Sequence, residues 1–348
     1  MAVALSGSAR VPLRAEHEEV RVRRGRRSGL LVAVAVHRTV GGRSLGGCRM
    51  WPFASPEDAV RDVEHLARAM TFKAAVAGLP LGGGKGVIAL PPGEPLEARR
   101  HRAALRDFAE LVQSFEGRYV TAQDVGVSAA DVAYLARFTE HVAGRPPEDG
   151  GAGDPSPYTA RGVEVAIRTS LPGELAGRRV AITGLGHVGG ELARRLARGG
   201  ARQIVADVDP VKRALAEELG AEWVAPEAIV AAEADVFAPC ALGGMLDADA
   251  VPRLRARVVA GAANNQLARD DVADALQRRG ILWAPDFVAN AGGLIAVADE
   301  LQGFDRARVE RRVDGIGATL ADVYARAEAA GTNTLIAAYQ LAAERLSG

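Results

Sequence analysis

Of the 43 basic residues in this chain only three are lysines, Lys73, Lys85 and Lys212, which leaves 40 arginines. Arginine can serve at most surface positions that need only a charge. It cannot serve where a proton has to come off, because the guanidinium stays protonated, whereas an amine desolvated among apolar neighbours can titrate near neutrality. Two of the three lysines bracket one short stretch, Lys73-Ala-Ala-Val-Ala-Gly-Leu-Pro-Leu-Gly-Gly-Gly-Lys85, whose company is apolar. Two cations brought close disfavour each other's ionisation. The natural division leaves one charged, to hold a substrate carboxylate, and the other partly neutral, to act as a general base. Asp124, in Thr121-Ala-Gln-Asp-Val-Gly126, is a carboxylate that could relay a proton for such a base; a capping aspartate is the structural alternative. Gly46 and Gly47, in Leu45-Gly-Gly-Cys-Arg49, could offer backbone N–H groups to a carboxylate, and a plain turn fits the local sequence equally well.

A second pattern, Gly184-Leu-Gly-His-Val-Gly189, lies between the strand-like Arg179-Val-Ala-Ile-Thr183 and the helix-like run from Gly190. That context turns a weak glycine motif into a dinucleotide fingerprint. Gly184 permits the tight turn, Gly186 lets the backbone approach a pyrophosphate, and Gly189 allows the helix to pack closely on the strand. The helix start supplies unpaired N–H groups to the phosphates. His187 and Val188 complete this cofactor turn, His187 as a bystander rather than a catalyst. Asp207 ends the next strand, Gln203-Ile-Val-Ala-Asp. A carboxylate there accepts from the ribose hydroxyls and repels a 2′-phosphate, so the expected cofactor is NAD rather than NADP. Ligands of open α/β sheets sit at the carboxyl ends of strands. That adds Cys240 and Ala241 after one strand, and Asn264 and Asn265 after another. The two asparagines are expected near the nicotinamide, unless they are turn residues only.

The elements that must carry these residues are legible in outline. At 348 residues, two domains are the default. Residues 18–40 alternate as strands. Ser55-Pro56-Glu57-Asp58 opens a helix whose apolar face is Ala59, Val63, Leu66, Ala67 and Met70. The Gly-rich segment 78–86 leads into a short strand, Gly86–Leu90. A helix over 97–115, a strand over 119–122 and a Ser128-capped helix to about 142 follow. The Gly/Pro-rich stretch 144–157 reads as a linker. Beyond it, strands over 178–183, 202–207, 235–238, 257–260 and 281–283 alternate with helices, which is the rhythm of a doubly wound parallel sheet. From Arg306 the chain is helical.

Composition narrows the function. Net charge is zero, from 43 basic and 43 acidic residues, which argues against nucleic acid or a membrane surface as partner. Cys48 and Cys240 form no disulfide framework or metal spacing, which fits a reducing cytoplasm. The six histidines show no metal-ligand spacing, so no metal is expected. The first residues lack the charged and apolar regions of a signal peptide. The basic run Arg21–Arg27 reads as a solvated strand and turn.

Taken in order, these segments resemble the glutamate/leucine/phenylalanine/valine dehydrogenase family, with leucine and valine dehydrogenases most similar. The matching stretches are Leu45–Trp51, Met70–Lys73, Ala77–Lys85, Thr121–Gly126, Gly153–Pro157, the dinucleotide fingerprint, Phe237–Gly244, Asn265–Leu267 and Ala284–Gly293. The resemblance implies an α/β fold of two domains. Residues 1–147 would be a substrate-binding and catalytic domain, residues 148–320 a Rossmann-type NAD domain, and residues 321–348 a C-terminal helix returning to the first. It assigns Lys73, helped by the Gly46–Gly47 backbone, to the substrate carboxylate, Lys85 to activating water, and Asp124 to proton transfer. Thr159 and Asn265 would orient the nicotinamide carboxamide or the substrate, and Arg49 would reach the cofactor. Leu45, Ala122, Leu294 and Val297 would line an aliphatic side-chain pocket, suited to leucine, valine or isoleucine; a glutamate side chain would be buried there unpaired. It further implies a symmetric homo-oligomer, with the N-terminal segment as a candidate interface. The expected reaction is reversible oxidative deamination of a small apolar L-amino acid to the 2-oxo acid and ammonia. An aromatic amino-acid dehydrogenase (phenylalanine or tryptophan) and an imine or oxo-acid reductase of a specialised pathway are alternatives. A non-catalytic NAD sensor is a third, distinguished by binding without turnover.

Overall fold

The computed structural model describes residues 16–93 and 96–347. The start of the N-terminal segment, where an interface was expected, lies outside them. Two compact units divide the chain: residues 1–154 with 297–305, and residues 155–296 with 306–348.

The first unit carries β1 (Glu19–Arg24), β2 (Leu31–Arg38), β3 (Ser44–Leu45), β4 (Cys48–Pro52), α1 (Pro56–Val76), β5 (Gly82–Leu90), α2 (Ala98–Gln113), β6 (Tyr119–Val120) and α3 (Ala129–Leu135). Its sheet runs β1-β2-β5-β3-β6, with β4 also alongside β5. The glycine run is part of the sheet, since β5 begins at Gly82 rather than Gly86. Strand alternation separates its two faces. Ile88 packs with Phe108 of α2, whereas Val87 packs with Ala59, Val63 and Ala67 of α1. The expected start of α1 is present: the Ser55 hydroxyl accepts from the Asp58 N–H at 3.1 Å, and Pro56 opens the helix. α3 stops seven residues before the expected end, at 135 rather than 142. The chain leaves it to run beside the end of β6 at the sheet edge, where the Thr121 N–H donates to the His141 carbonyl and the Ala143 N–H to that of Thr121. The Arg21–Arg27 run is a strand and turn, but its charges are engaged. Arg27 pairs with Asp107 and Glu110, and Arg21 stacks on Phe115.

The second unit continues with α4 (Ser156–Ser170), β7 (Arg179–Thr183), α5 (His187–Arg198), β8 (Arg202–Ala206), α6 (Arg213–Glu218), β9 (Glu222–Trp223), β10 (Val236–Pro239), α7 (Ala250–Arg253), β11 (Val258–Val259), α8 (Val272–Arg278), β12 (Leu282–Trp283), α9 (Asp286–Ala289), α10 (Gly292–Asp299), α11 (Arg306–Asp314), α12 (Ile316–Ala330) and α13 (Thr334–Ser347); the last residues of α10, from Val297, group with the first unit. Its sheet is parallel in the order β12-β11-β10-β7-β8-β9, which reverses direction between β7 and β10. This is the doubly wound dinucleotide-binding order. β9 escaped the sequence reading because a two-residue edge strand has no periodicity to detect.

Two borders differ from expectation. The first unit extends to 154 rather than 147, because the Gly/Pro stretch is bonded to Glu300 of the same unit: the Ala152 N–H donates to its Oε1 at 2.6 Å and the Gly144 N–H to its Oε2 at 2.9 Å. The terminal helix, expected on the first domain, groups with the second unit. Tyr339 stacks on Phe287 with centroids 5.4 Å apart, the Thr334 hydroxyl donates to the Trp283 carbonyl at 2.8 Å, and the Tyr324 hydroxyl meets that of Ser170 at 2.6 Å. The segment that does rejoin the first unit is 297–305. No helix among the described residues is long and apolar enough to cross a membrane.

Candidate active site

In the first unit, strand register puts the chemistry on the α1 face. Lys85 shares the parity of Val87 and lies opposite Ala35, both in the cluster under α1. Arg49 pairs with Val87 and so faces the same way. Lys85 is 6% exposed, and its Nζ stands 2.5 Å from Asp124 Oδ2. Arg49 closes the group, with Nη1 3.1 Å from each oxygen of Asp62 and Nε 3.7 Å from Asp124 Oδ2. Burial works to raise the Asp124 carboxyl. The adjoining Lys85 ammonium outweighs it, with help from Arg49, and holds the carboxyl below its ordinary value.

Lys73 is in the last turn of α1. Asp62, Leu66, Met70 and Lys73 follow one another at helical spacing along a single ridge. A Cβ added at Gly46 would come within 3.4 Å of Met70 Cγ, so the ridge carries Lys73 past the Gly46 turn on the side where Arg49 meets Asp62. The glycines are what bring these backbones together. A Cβ at Gly83 would stand 2.0 Å from the Thr71 nitrogen and 2.6 Å from the Ala67 carbonyl oxygen of α1; one at Gly47 would stand 2.9 Å from Asp124 Cβ. Their missing side chains therefore make room for protein, not for substrate. The Gly46 N–H donates to the Val120 carbonyl at 3.2 Å, so that amide belongs to the sheet rather than to a carboxylate cradle. A cavity of about 530 Å³ in this unit, lined by Arg43, Arg118, His141, Arg145 and Glu300 among others, includes neither Lys85 nor Asp124.

In the second unit, the turn after β7 has the geometry a dinucleotide needs. Gly184 has φ +88°, a left-handed conformation that favours glycine. A Cβ at Gly189 would stand 1.9 Å from the Gly184 carbonyl oxygen, so α5 presses directly on the turn. A Cβ at Gly186 would meet nothing within 4 Å, which leaves that face open to a phosphate at the start of α5, where His187 and Val188 lie. Asp207 follows β8. Its Oδ2 accepts from the Leu185 N–H at 2.6 Å and its Oδ1 from the Asp209 N–H at 2.8 Å. The carboxylate thus braces the glycine turn. Cys240 and Ala241 cross from the other side of the switch point: the Cys240 N–H donates to the Thr183 carbonyl at 2.8 Å, and Ala241 packs against Gly184. Burial pushes the Cys240 thiol up to about 12, which disfavours its thiolate.

Beyond β11, Asn265 holds φ +52° and its carbonyl accepts from the Gly244 N–H at 2.7 Å, which ties together the loops after β10 and β11. Asn264 Oδ1 accepts from the Asn290 amide at 2.8 Å. Thr159 Oγ1 donates to the Pro155 carbonyl at 3.2 Å and faces Gly293.

Comparison with known proteins identifies the family. Residues 8–141 match the Glu/Leu/Phe/Val dehydrogenase dimerisation domain, and residues 205–348 match the glutamate/leucine/phenylalanine/valine dehydrogenase domain. The chain is 42% identical to a leucine dehydrogenase of Geobacillus stearothermophilus, over 95% of this chain and 91% of that one. It is 45% identical to a valine dehydrogenase of Streptomyces virginiae, over 95% and 94%. The chain belongs to the glutamate/leucine/phenylalanine/valine dehydrogenase family. It is accordingly an amino-acid dehydrogenase. Among solved structures, the L-tryptophan dehydrogenase of Nostoc punctiforme superposes with a TM-score of 0.81 at 36% identity, covering 95% of this chain and 97% of that one.

The dehydrogenase draws its expected residues into two groups. Lys85, Asp124, Arg49, Gly46, Gly47, Leu45 and Ala122 lie in the first unit with Lys73, and Val297 joins them. Leu45, Ala122 and Val297 are buried there. Leu294, half-buried, lies in the second unit with Thr159, Asn264, Asn265 and the glycine turn. The sequence reading missed Asp62, which holds Arg49, and Asn290, which is 3% exposed and donates to the Ala262 carbonyl as well as to Asn264. Asp62 left a signal: it is an acid on the Lys73 ridge of α1, where only apolar positions had been counted.

Proposed function

We propose that this dehydrogenase carries out NAD-dependent oxidative deamination of a branched-chain aliphatic L-amino acid. The observation that carries this reading is the buried Lys85–Asp124 pair at 2.5 Å in a chain similar to leucine and valine dehydrogenases. NAD, when bound, accepts the hydride from the substrate Cα. Gly184, Gly186 and Gly189 with the start of α5 would hold its pyrophosphate, and Asp207 its ribose. In this reading Lys73 binds the substrate carboxylate, and Arg49 steadies Asp124 rather than reaching the cofactor. Lys85 first passes its own proton to Asp124, in contact with its Nζ, and the neutral amine then takes a proton from the water that attacks the imine carbon. Loss of ammonia from the carbinolamine leaves the 2-oxo acid. Buried aliphatic side chains at Leu45, Ala122 and Val297 favour an apolar substrate over glutamate.

The dimerisation domain that matches residues 8–141 supports a homo-oligomer, and two unpaired cysteines fit the cytoplasm. The likeness to the tryptophan dehydrogenase of Nostoc punctiforme favours, as a second reading, an aromatic substrate on the same machinery. The test is reduced-cofactor absorbance with a panel of L-amino acids, each with NAD and with NADP. The first reading expects the highest kcat/KM for leucine, valine or isoleucine with NAD. A tryptophan or phenylalanine optimum replaces it by the second, and a folded, NAD-binding protein that turns over nothing on the panel would sink both.

A further inference from the structure

The polypeptide passes between the two units three times, at 154/155, 296/297 and 305/306. One buried carboxylate ties the loop before the first crossing to the segment that lies between the other two. Glu300, whose side chain is 1% exposed, accepts from the Ala152 N–H at 2.6 Å through Oε1. Through Oε2 it accepts from the Gly144 N–H at 2.9 Å and the Arg145 N–H at 3.3 Å. These donors flank the loop that leads to the first crossing. Glu300 itself sits on the nine-residue segment 297–305 that lies between the second and third crossings. That segment is closed by its own staple, since buried Asp299 accepts from the Asp305 N–H at 2.9 Å. Arg145 Nε stands 3.9 Å away, a longer contact than those of the three backbone amides, which do the holding. Burial pushes the Glu300 carboxyl up, and the three N–H groups pull against that shift.

We infer that Glu300 is a positioning residue: its carboxylate ties the loop before the first crossing to the segment between the other two, and turnover depends on that junction. This rests on the proposed reaction only in that its residues come from both units. The carboxylate touches neither Lys85 nor the glycine turn, so it acts through the connections and not on substrate.

The test compares wild type, Glu300→Gln and Glu300→Asp as full-length enzyme. Glutamine keeps the size but has one oxygen, so it can satisfy either Ala152 or the Gly144–Arg145 pair, and it turns an NH₂ donor toward the other. Native-state hydrogen exchange is expected to quicken about tenfold or more at those amides and to stay unchanged across α1 and β5. Per folded molecule, kcat is expected to fall about tenfold, with the amino-acid KM and the NAD Kd within about twofold. Aspartate keeps two acceptor oxygens and should recover part of the loss. Wild-type kcat in Glu300→Gln overturns the inference. So does unchanged exchange at 144, 145 and 152, or a loss that follows only the folded fraction. If wild type itself turns over no amino acid, the proposed function fails, while the exchange measurement still judges the junction.

Discussion

Replacing Lys85 by arginine separates the charge of this residue from its proton. The side chain is 7% exposed, with Gly83 and Val87 on its own face of β5 and Ala35 across from it. Arginine keeps the positive charge beside Asp124, so it avoids the cost of about 3–5 kcal/mol for leaving a buried charge unpaired. Its larger planar head has to be fitted beneath α1, an overpacking cost of about 1–3 kcal/mol. What it cannot do is give up a proton. Losing a general base costs about 10²–10⁴-fold in rate, or about 3–5 kcal/mol of barrier. Lys85→Arg should therefore stay folded with a modestly lowered Tm, bind NAD within about twofold of wild type, and lose at least about a hundredfold in kcat. Lys85→Met is the control. It should lose as much rate but more stability, because Asp124 then keeps Arg49 at 3.7 Å in place of an ammonium at 2.5 Å. Reduced-cofactor absorbance gives the rates, calorimetry the NAD affinity, and urea titration the stability. A Lys85→Arg enzyme within about tenfold of wild-type kcat would refute the assignment of the base.

Burial first, then His17 and Arg68, lower His37 from 6.5 to about 4, beside the Thr71 hydroxyl at 2.9 Å. The unfolded chain accepts a proton in that window that the folded one refuses, so stability should fall as pH drops from about 6.5 to about 4, by roughly 2 kcal/mol after solvent screening. His37→Gln should flatten the dependence in urea titrations across that range, and an unchanged slope would count against the cause. Gly83→Ala places a Cβ 2.0 Å from the Thr71 nitrogen, and backbone cannot rotate away; about 3 kcal/mol or more of stability should go, read as a drop in the urea midpoint. Asp207→Ser removes the carboxylate that repels a 2′-phosphate, and with it the brace on the Leu185 N–H. NAD kcat/KM should fall while the NADP-to-NAD ratio rises about tenfold or more, and an unmoved ratio would show that Asp207 does not select the cofactor.

Much of this was legible because it is local. A strand, a Gly184-to-Gly189 turn and a helix follow each other directly in the chain, and backbone sterics force the turn whatever lies elsewhere. The same holds for the Ser55 cap on α1 and for the parallel βαβ rhythm of the second unit. The scarcity of lysine makes Lys73 and Lys85 candidates from composition alone, because arginine can serve wherever only a charge is needed. The resemblance to the family rested on stretches spread over most of the chain, and the family match agrees with it.

What tertiary structure decided is which partner each residue meets. That Gly82–Gly84 is strand rather than loop depends on distant neighbours that take the space a Cβ would fill: the Arg38 carbonyl at Gly82, Thr71 of α1 at Gly83 and the Tyr119 ring at Gly84. That Arg49 turns to Asp62 depends on the helix face that β4 and β5 present to α1. The Gly/Pro stretch 144–153 looks like a free tether in sequence, and Glu300, some 150 positions later, makes it part of the first unit. The terminal helix joined the second unit for the same kind of reason, through Phe287 and Trp283. Composition and spacing name the groups able to do chemistry, because propensity and turn sterics act over a few residues. The partner that holds each group charged, neutral or still is set by contacts between distant parts of the chain, which no short window of sequence contains.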